Sequence, residues 1–401
     1  MRVAIFSESY KPLINGVSTS VDTLVAELER AGHTVYIFTS KFPQYEDERE
    51  HVYRYPSVNS VMEPDYVLPI PVSRHISDTI SRLKLDIIHS QSPFALGMLA
   101  RKTARRIGVP LVSTNHTLYT EYTHYVPLIP TATSRRVIAR WMRWYYNECD
   151  WVFAPSEYTR RLLVDDFKVV RPVSVVPTGI PSPPYVLAST RSIKENLKIP
   201  GDARVLLYVG RLAREKNLDM LLEAFAKVLE AAGNVYLVIA GSGNNAARLK
   251  GRTEQLCIDE FVRYTGFLDR TRLDPLYKAA DVFVYPSVTE TQGLAVGEAL
   301  ASGTPCVVVN GGGAPETVTS GVDGFLVRNS VDEFSSAVLR LLDDGELRRR
   351  FSDAARKNAE RLQPERVARL MIDRYERLVS GTPDAEVEGK SDDGCSPGST
   401  S

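Results

Sequence analysis

The chain has no C-x-x-C pair. Its four cysteines, Cys149, Cys257, Cys306 and Cys395, stand at spacings that suit no metal site. That is the pattern of unpaired thiols in a cytosolic protein. No apolar run reaches the roughly 18 residues that a membrane-spanning helix needs, so any membrane association is expected to be peripheral. No signal peptide is read, because Met1-Arg2 leads directly into an apolar strand, Val3 to Phe6. No strand runs into G-x-G-x-x-G, which speaks against a nicotinamide cofactor. No Asp-x-Asp metal site stands at a strand end, no nucleophile–base pair is visible, and nothing suggests a pyridoxal-binding lysine. Net charge is also missing, with 49 basic and 49 acidic residues. A neutral chain whose one basic stretch is short is not expected to bind nucleic acid.

What is present is enough apolar sequence for real cores: 401 residues, 43% hydrophobic, a length that predicts two or three domains. Short apolar runs alternate with helical periodicity. Val3–Phe6, Val35–Thr39, Ile87–His89, Leu111–Thr114 and Val173–Pro177 read as strands of a parallel sheet with helices on both faces. A helix from Ser18 to Ala31 carries Val21, Leu24, Val25 and Leu28 on one face and stops at Gly32. The glycine loop before it holds Gly16, whose backbone can approach a phosphate. Thr178 to Pro184 is rich in Pro and Gly and reads as a linker. Val205–Val209 then starts a second strand–loop–helix series. The expected domains are 1–180 and 181–363. Pro364 starts a last helix over about 364–379, and a disordered tail spans 381–401.

The organising stretch is Tyr285-Pro286-Ser287-Val288-Thr289-Glu290-Thr291-Gln292-Gly293-Leu294-Ala295-Val296-Gly297-Glu298. An apolar strand precedes it, and helical spacing follows from Leu294. Free N–H groups and the dipole at a helix start favour an anion such as phosphate. A carboxylate accepts from two hydroxyls at once. Glu290 before the helix and Glu298 within it therefore suit a ligand with hydroxyls on both sides of its phosphates, the layout of a nucleotide sugar. The loop from Gly210 to Asn217 supplies Arg211, whose planar guanidinium can bridge phosphate oxygens, and Lys216 as a point charge. Two such cations can stabilise a departing diphosphate without a metal.

The stretch resembles the E-x7-E motif of retaining glycosyltransferases of family 4, and the loop with Arg211 and Lys216 resembles that family's G-R-x-x-x-x-K-x loop. The resemblance covers roughly residues 1 to 375. It implies an α/β fold of the GT-B type: two Rossmann-like domains facing across a deep cleft, with the C-terminal helix crossing back. It also implies roles. Glu298 holds the ribose. Gly16, Gly210, Arg211 and Lys216 serve the diphosphate, and Gly266, Phe267 and Leu268 meet the base. Glu290 and the backbone at Gln292, Gly293 and Leu294 meet the sugar, with His116 beside it. Catalytic roles fall to His116, Glu290, Arg211 and Lys216, with no metal and no bound cofactor.

The segment Asn115 to Pro127, with Tyr119, Tyr122 and Tyr125, resembles the H-T-x-Y…Y-x-H-Y-x-P stretch of enzymes that glucosylate diacylglycerol. The Thr-Glu-Thr-Gln-Gly-Leu form of the motif looks like the same glycolipid-forming branch, where many relatives carry Phe-Gly. The expectation is transfer of glucose from UDP-glucose to a lipid acceptor, with diacylglycerol the first choice. The alternative is GDP-mannose and a phosphoinositide or other glycolipid. An epimerase and a nucleotide-sugar sensor are the competing classes. Residues 134–147 read as a helix capped by Ser134, with Arg136, Arg140 and Arg143 on one face and Val137, Trp141, Trp144 and Tyr145 on the other. Basic residues beside tryptophan suit an anionic membrane surface. The expected location is the cytoplasmic side of the cell membrane.

Overall fold

The short apolar runs pair into two all-parallel sheets in the computed structural model, which describes residues 1–60, 67–121, 131–182 and 189–382. Tyr122, Tyr125 and the tail from residue 383 lie outside the described residues, and so do the expectations for them. The first sheet contains β1 (Arg2–Phe6), β2 (Thr34–Ser40) and β3 (Val52–Tyr55), then β6 (Ile87–Ser90), β7 (Leu111–Thr114), β8 (Trp151–Ala154) and β9 (Val173–Val175). Between them β4 (Ser57–Asn59) and β5 (Val67–Pro69) form a separate antiparallel pair. The first sheet's order is β3-β2-β1-β6-β7-β8-β9.

The second sheet holds β10 (Arg204–Val209), β11 (Val235–Ala240), β12 (Val262–Gly266), β13 (Val282–Tyr285), β14 (Cys306–Val309) and β15 (Gly324–Val327), in the order β12-β11-β10-β13-β14-β15. Both are doubly wound. The order reverses between β1 and β6 in one sheet and between β10 and β13 in the other. A strand covered on both faces by helices is apolar along its whole length, and β1, β6 and β13 are buried almost throughout.

Helices in the first half are α1 (Gly16–Arg30), α2 (Arg74–Arg82), α3 (Ala95–Ile107), α4 (Thr131–Asn147) and α5 (Glu157–Arg161). The second half adds α6 (Thr190–Asn196), α7 (Leu218–Ala232), α8 (Ala246–Gln255), α9 (Arg270–Ala279), α10 (Leu294–Ala301), α11 (Val331–Asp343) and α12 (Gly345–Ala359). The last helix, α13 (Pro364–Ser380), returns to the first sheet. There Val367, Met371 and Tyr375 join one core with Val3, Ile5, Val21 and Val25. Its Tyr375 hydroxyl shares a buried hydrogen bond with Nδ1 of His89 at 2.6 Å. The chain crosses between the halves twice, and the crossings touch: Ile180 N–H donates to the Leu362 carbonyl at 2.7 Å. Gly179 is needed here, because a Cβ on it would stand 2.6 Å from Cα of Pro364.

Helix α4 corrects two expectations. It begins at Thr131, so Ser134 is not its cap but a buried residue within it. Its inward face is Met142, Tyr145 and Tyr146, all fully buried. Val137, Trp141 and Trp144 stay outward, at 62%, 37% and 38% exposure, alongside Arg136, Arg140 and Arg143. Aromatic residues fall on both sides of this helix, so periodicity alone assigned Tyr145 and the tryptophans to one face.

Candidate active site

In open α/β sheets ligands bind beyond the carboxyl ends of the strands, where the strand order reverses. Here the two reversal points face each other across a cavity of about 540 Å³. The loop after β1 contributes Glu8 and Gly16, and the loops after β6 and β7 contribute Gln91 and His116. From the other half come Arg211 and Lys216 after β10 and Glu290 to Leu294 after β13. The halves approach closely: a Cβ on Gly16 would sit 3.5 Å from Leu294 Cδ1.

Glu290 is the electrostatic centre. Its Oε1 accepts from Lys216 Nζ at 2.6 Å, Ser287 Oγ at 2.7 Å and the Tyr285 hydroxyl at 2.8 Å. Burial alone would raise this carboxyl. The charge of Lys216 and the three donors outweigh it and hold the group below the usual carboxylate range. Lys216 reaches Glu290 because a short 3-10 turn, Arg214–Lys216, ends in Asn217 with left-handed backbone, φ +56°. Asn217 Nδ2 then donates to the Pro286 carbonyl at 3.1 Å, tying the β10 loop to the β13 loop. Arg211 is held by Glu215 at 2.9 Å with its side chain 44% exposed. Gly293 precedes α10 at φ +77°, and a Cβ there would come within 2.7 Å of the Ala314 side chain, so the helix start depends on glycine.

On the opposite wall His116 pairs its Nε2 with Gln91 Oε1 at 2.7 Å. Burial pushes the imidazole down to about 4. It is therefore neutral near physiological pH, with Nε2–H donating and Nδ1 left as an acceptor. Glu8 was not singled out in the sequence. Its Oε1 accepts from the Leu96 N–H at 3.0 Å, in the first turn of α3, and burial raises its carboxyl. Part of the first half's wall of the cavity is apolar. Phe94 and Tyr119 stack edge to face at 4.9 Å, and Val67 and Leu68 of β5 complete it. Nothing in the sequence marked Glu8 or β5, because their place depends on the sheet order.

Several predicted residues stand elsewhere. Gly210, Gly266, Phe267, Leu268 and Glu298 do not line this cavity. Glu298 projects from α10 toward α9, where it accepts from the Tyr277 hydroxyl at 2.7 Å and pairs with Arg270. Gln292 lines the cavity, yet its side chain is committed to the linker. Oε1 accepts from Thr178 N–H at 2.7 Å, and Nε2 donates to the Thr178 carbonyl at 3.1 Å. A further bridge joins the halves at Glu316, which accepts from the N–H groups of Glu157 and Tyr158 at the start of α5, at 2.7 and 2.6 Å.

Two family profiles match the chain, one to each half. "Glycosyltransferase Family 4" covers residues 14–182 and "Glycosyl transferases group 1" covers 189–358. The alpha-monoglucosyldiacylglycerol synthase of Streptococcus pneumoniae is 36% identical over 318 residues, 77% of this chain and 70% of the relative. The chain belongs to glycosyltransferase family 4. The synthase of the same name from Acholeplasma laidlawii is 31% identical over 327 residues, 77% of this chain and 80% of that one.

Among solved structures, sucrose-phosphate synthase from Thermosynechococcus elongatus superposes with a TM-score of 0.78 at 22% identity, covering 95% of this chain and all of the other. HepE of Anabaena in complex with UDP-glucose gives 0.73 at 17% identity, covering 94% and 99%. These likenesses show the GT-B fold, as expected from the sequence. The protein is a glycosyltransferase that uses a nucleotide sugar as donor.

In this glycosyltransferase the Gln292–Thr178 pair makes a specific demand on stability. Gln292→Ala leaves a buried N–H and a buried carbonyl of Thr178 unpaired. Each such group costs about 1–3 kcal/mol. Urea unfolding is expected to show a loss of about 2–6 kcal/mol, and an unchanged midpoint would show that the tie between the halves is not a stabilising one.

Proposed function

We propose that this glycosyltransferase moves glucose from UDP-glucose to the hydroxyl of diacylglycerol, with retention of the α configuration. One observation carries the reading: the cleft lining combines a cationic and hydroxyl-accepting set from the second half, Arg211, Lys216 and Glu290, with an apolar set from the first half, Val67, Phe94 and Tyr119. That polarity suits a sugar diphosphate on one side and an acyl-bearing alcohol on the other. The name and 36% identity of the pneumococcal relative support the same assignment.

In the proposed reaction the bond from sugar C1 to the leaving phosphate oxygen breaks, and a bond from C1 to the acceptor oxygen forms on the same face. The acceptor proton passes to the leaving phosphate oxygen, so no protein base is required. Arg211 and Lys216 stabilise the charge on the departing diphosphate. Glu290 holds the sugar hydroxyls, and Lys216 divides its charge between that carboxylate and the phosphates. Neutral His116 offers Nδ1 to a sugar hydroxyl. Glu298 and the backbone at Gly266 to Leu268, which lie outside the cavity lining, keep the nucleoside as their proposed ligand, with Glu298 sharing its carboxylate among Tyr277, Arg270 and the ribose.

A matrix of UDP- and GDP-sugars against diacylglycerol, phosphatidylinositol and soluble acceptors, with products resolved by mass, tests the reading. Glucosyl-diacylglycerol as the main product is expected. Mannosylated phosphatidylinositol formed only from GDP-mannose would replace both substrates, and an isomeric nucleotide sugar formed without acceptor would indicate an epimerase.

The acceptor is a membrane lipid, and α4 is the proposed docking element. The outward set of Val137, Trp141 and Trp144 beside Arg136, Arg140 and Arg143 has the composition of an interfacial helix. No helix among the described residues is long and apolar enough to cross a membrane. Each arginine near an anionic surface contributes about 1 kcal/mol, so Arg136→Glu/Arg140→Glu/Arg143→Glu should lower partitioning to anionic vesicles about a hundredfold or more. Equal, negligible binding of the parent protein to neutral and anionic vesicles would remove α4 from the account.

A further inference from the structure

The wall contributed by the first half is short of cations. Its described lining residues include no lysine and no arginine, and one acid, Glu8. The segments 61–66 and 122–130, outside the described residues, contain no lysine or arginine in their sequence either. Both cationic side chains of the cavity, Arg211 and Lys216, come from the second half, where a donor diphosphate would occupy them.

We propose that Glu8 selects the acceptor: its carboxylate accepts a hydrogen bond from the acceptor hydroxyl and disfavours acceptors that carry a phosphate near the reacting group. The inference rests on the glycosyl-transfer reading above and adds the determinant of acceptor charge. Glu8 stands in the loop after β1, at the first reversal point. It is fixed there, because Leu96 N–H holds Oε1 at 3.0 Å and the start of α3 supports a negative charge. Polar but uncharged neighbours, including Ser9, Asn15 and Gln91, complete that part of the cleft.

Proteins that bind phosphate present arginine, lysine or clustered N–H groups to it. A phosphorylated headgroup here would meet a carboxylate in a partly desolvated cleft, where like charges repel far more strongly than in water. A neutral alcohol meets an acceptor of matching chemistry, while its chains leave past Val67, Phe94 and Tyr119. Glu8 acts on the acceptor by hydrogen bonding and takes no proton in the reaction.

Glu8→Gln tests this. It nearly preserves size and can still accept from Leu96 N–H, so α3 keeps its cap. Acceptors are presented in micelles of a neutral detergent, which removes surface charge from the comparison. Diacylglycerol is the neutral acceptor, and phosphatidylglycerol is an anionic one that also carries hydroxyls. For the parent protein, strong preference for diacylglycerol is expected. In Glu8→Gln, kcat/KM for diacylglycerol should fall about tenfold to a hundredfold, the range for a hydrogen bond to a charged group. The preference over phosphatidylglycerol should narrow by a similar factor. Binding of UDP-glucose, measured by calorimetry, should be unchanged, which shows that the variant is folded and binds donor.

Unchanged kcat/KM and unchanged preference in Glu8→Gln would overturn the proposal, as would an equal loss of UDP-glucose affinity, which marks a structural role. Glu8→Asp keeps the charge and should keep the preference even where its rate drops; loss of preference in it counts against the proposal. A parent protein that ignores diacylglycerol altogether defeats the reading of function. One that uses it while Glu8→Gln stays indifferent defeats only the role of Glu8.

Discussion

Lys216→Met is expected to lower kcat about a hundredfold to a thousandfold, because removing one charged donor from a developing oxyanion costs about 2.7–4 kcal/mol. The variant also disturbs the folded state. Lys216 and Glu290 pair at 2.6 Å with side-chain exposures of 9% and 14%. Breaking a buried pair by deleting one partner costs about 3–5 kcal/mol. Here Tyr285 and Ser287 continue to donate to Glu290, so the loss should fall at the low end of that range.

The two effects separate in a double variant. Lys216→Met/Glu290→Gln carries no stranded charge and should regain most of the stability while remaining inactive. Urea unfolding and initial rates on the same preparations check this. Recovery of rate together with stability would mean that Lys216 serves the fold alone. Lys216→Arg should retain more activity than Lys216→Met, since it keeps the charge but not the shape that fits Glu290.

Acid should destabilise the protein well above the range in which ordinary carboxylates titrate. His89 is fully buried between Thr114, at 2.7 Å from Nε2, and Tyr375, at 2.6 Å from Nδ1. Burial, and secondarily the neighbouring His116, push it from 6.5 down to about 3. His116 falls to about 4 for the first of these reasons. Both folded values lie below the unfolded one, so the unfolded chain takes up the protons first. Stability is therefore fully present above 6.5 and is lost as pH falls toward about 4 for His116 and about 3 for His89.

Each group contributes a slope of about 1.4 kcal/mol per pH unit within its window. Glu8 and Asp323, whose carboxyls are raised chiefly by burial, work in the opposite sense and offset part of the loss. Comparison with His89→Gln isolates the largest contribution. Across the window below 6.5 the parent protein should lose about 1.4 kcal/mol more per pH unit than the variant. Parallel curves would show that His89 titrates normally or that the α13 contact opens before the protein unfolds.

The strands and the last helix were legible because each is a short apolar run with a stop. Val3 to Phe6 differs from β1 by one residue, and Pro364 opens α13 as read. The motif was legible because Glu290, Gly293 and Glu298 are close in sequence, and spacing along one loop and helix survives folding. What could not be read depends on partners far apart in the chain. Lys216 and Glu290 are 74 residues apart, and only the left-handed turn at Asn217 brings them together. Gln292 meets Thr178 from 114 residues away, so the sequence, which pointed only to its backbone at the sugar, could not show that its side chain ties the linker.

Glu298 carried the right spacing, but the position of Arg270 and Tyr277 on α9 decides where its carboxylate turns. On α4 the outward tryptophans and the inward Tyr145 and Tyr146 are chemically alike, so composition could not say which side the sheet would cover. Glu8 was hidden in a loop of polar residues, and its importance appears only once the first sheet sets it opposite the cations of the second.

The most direct test of the central claim is the anomeric configuration of the product formed from UDP-glucose and diacylglycerol, read from the proton coupling at C1 by NMR alongside UDP release. An α-linked glucosyl-diacylglycerol formed in step with UDP, and lost in Lys216→Met, is the predicted result. A β-linked product, or lipid glucosylation that persists at full rate in Lys216→Met, would contradict same-face transfer assisted by the cations of this cleft.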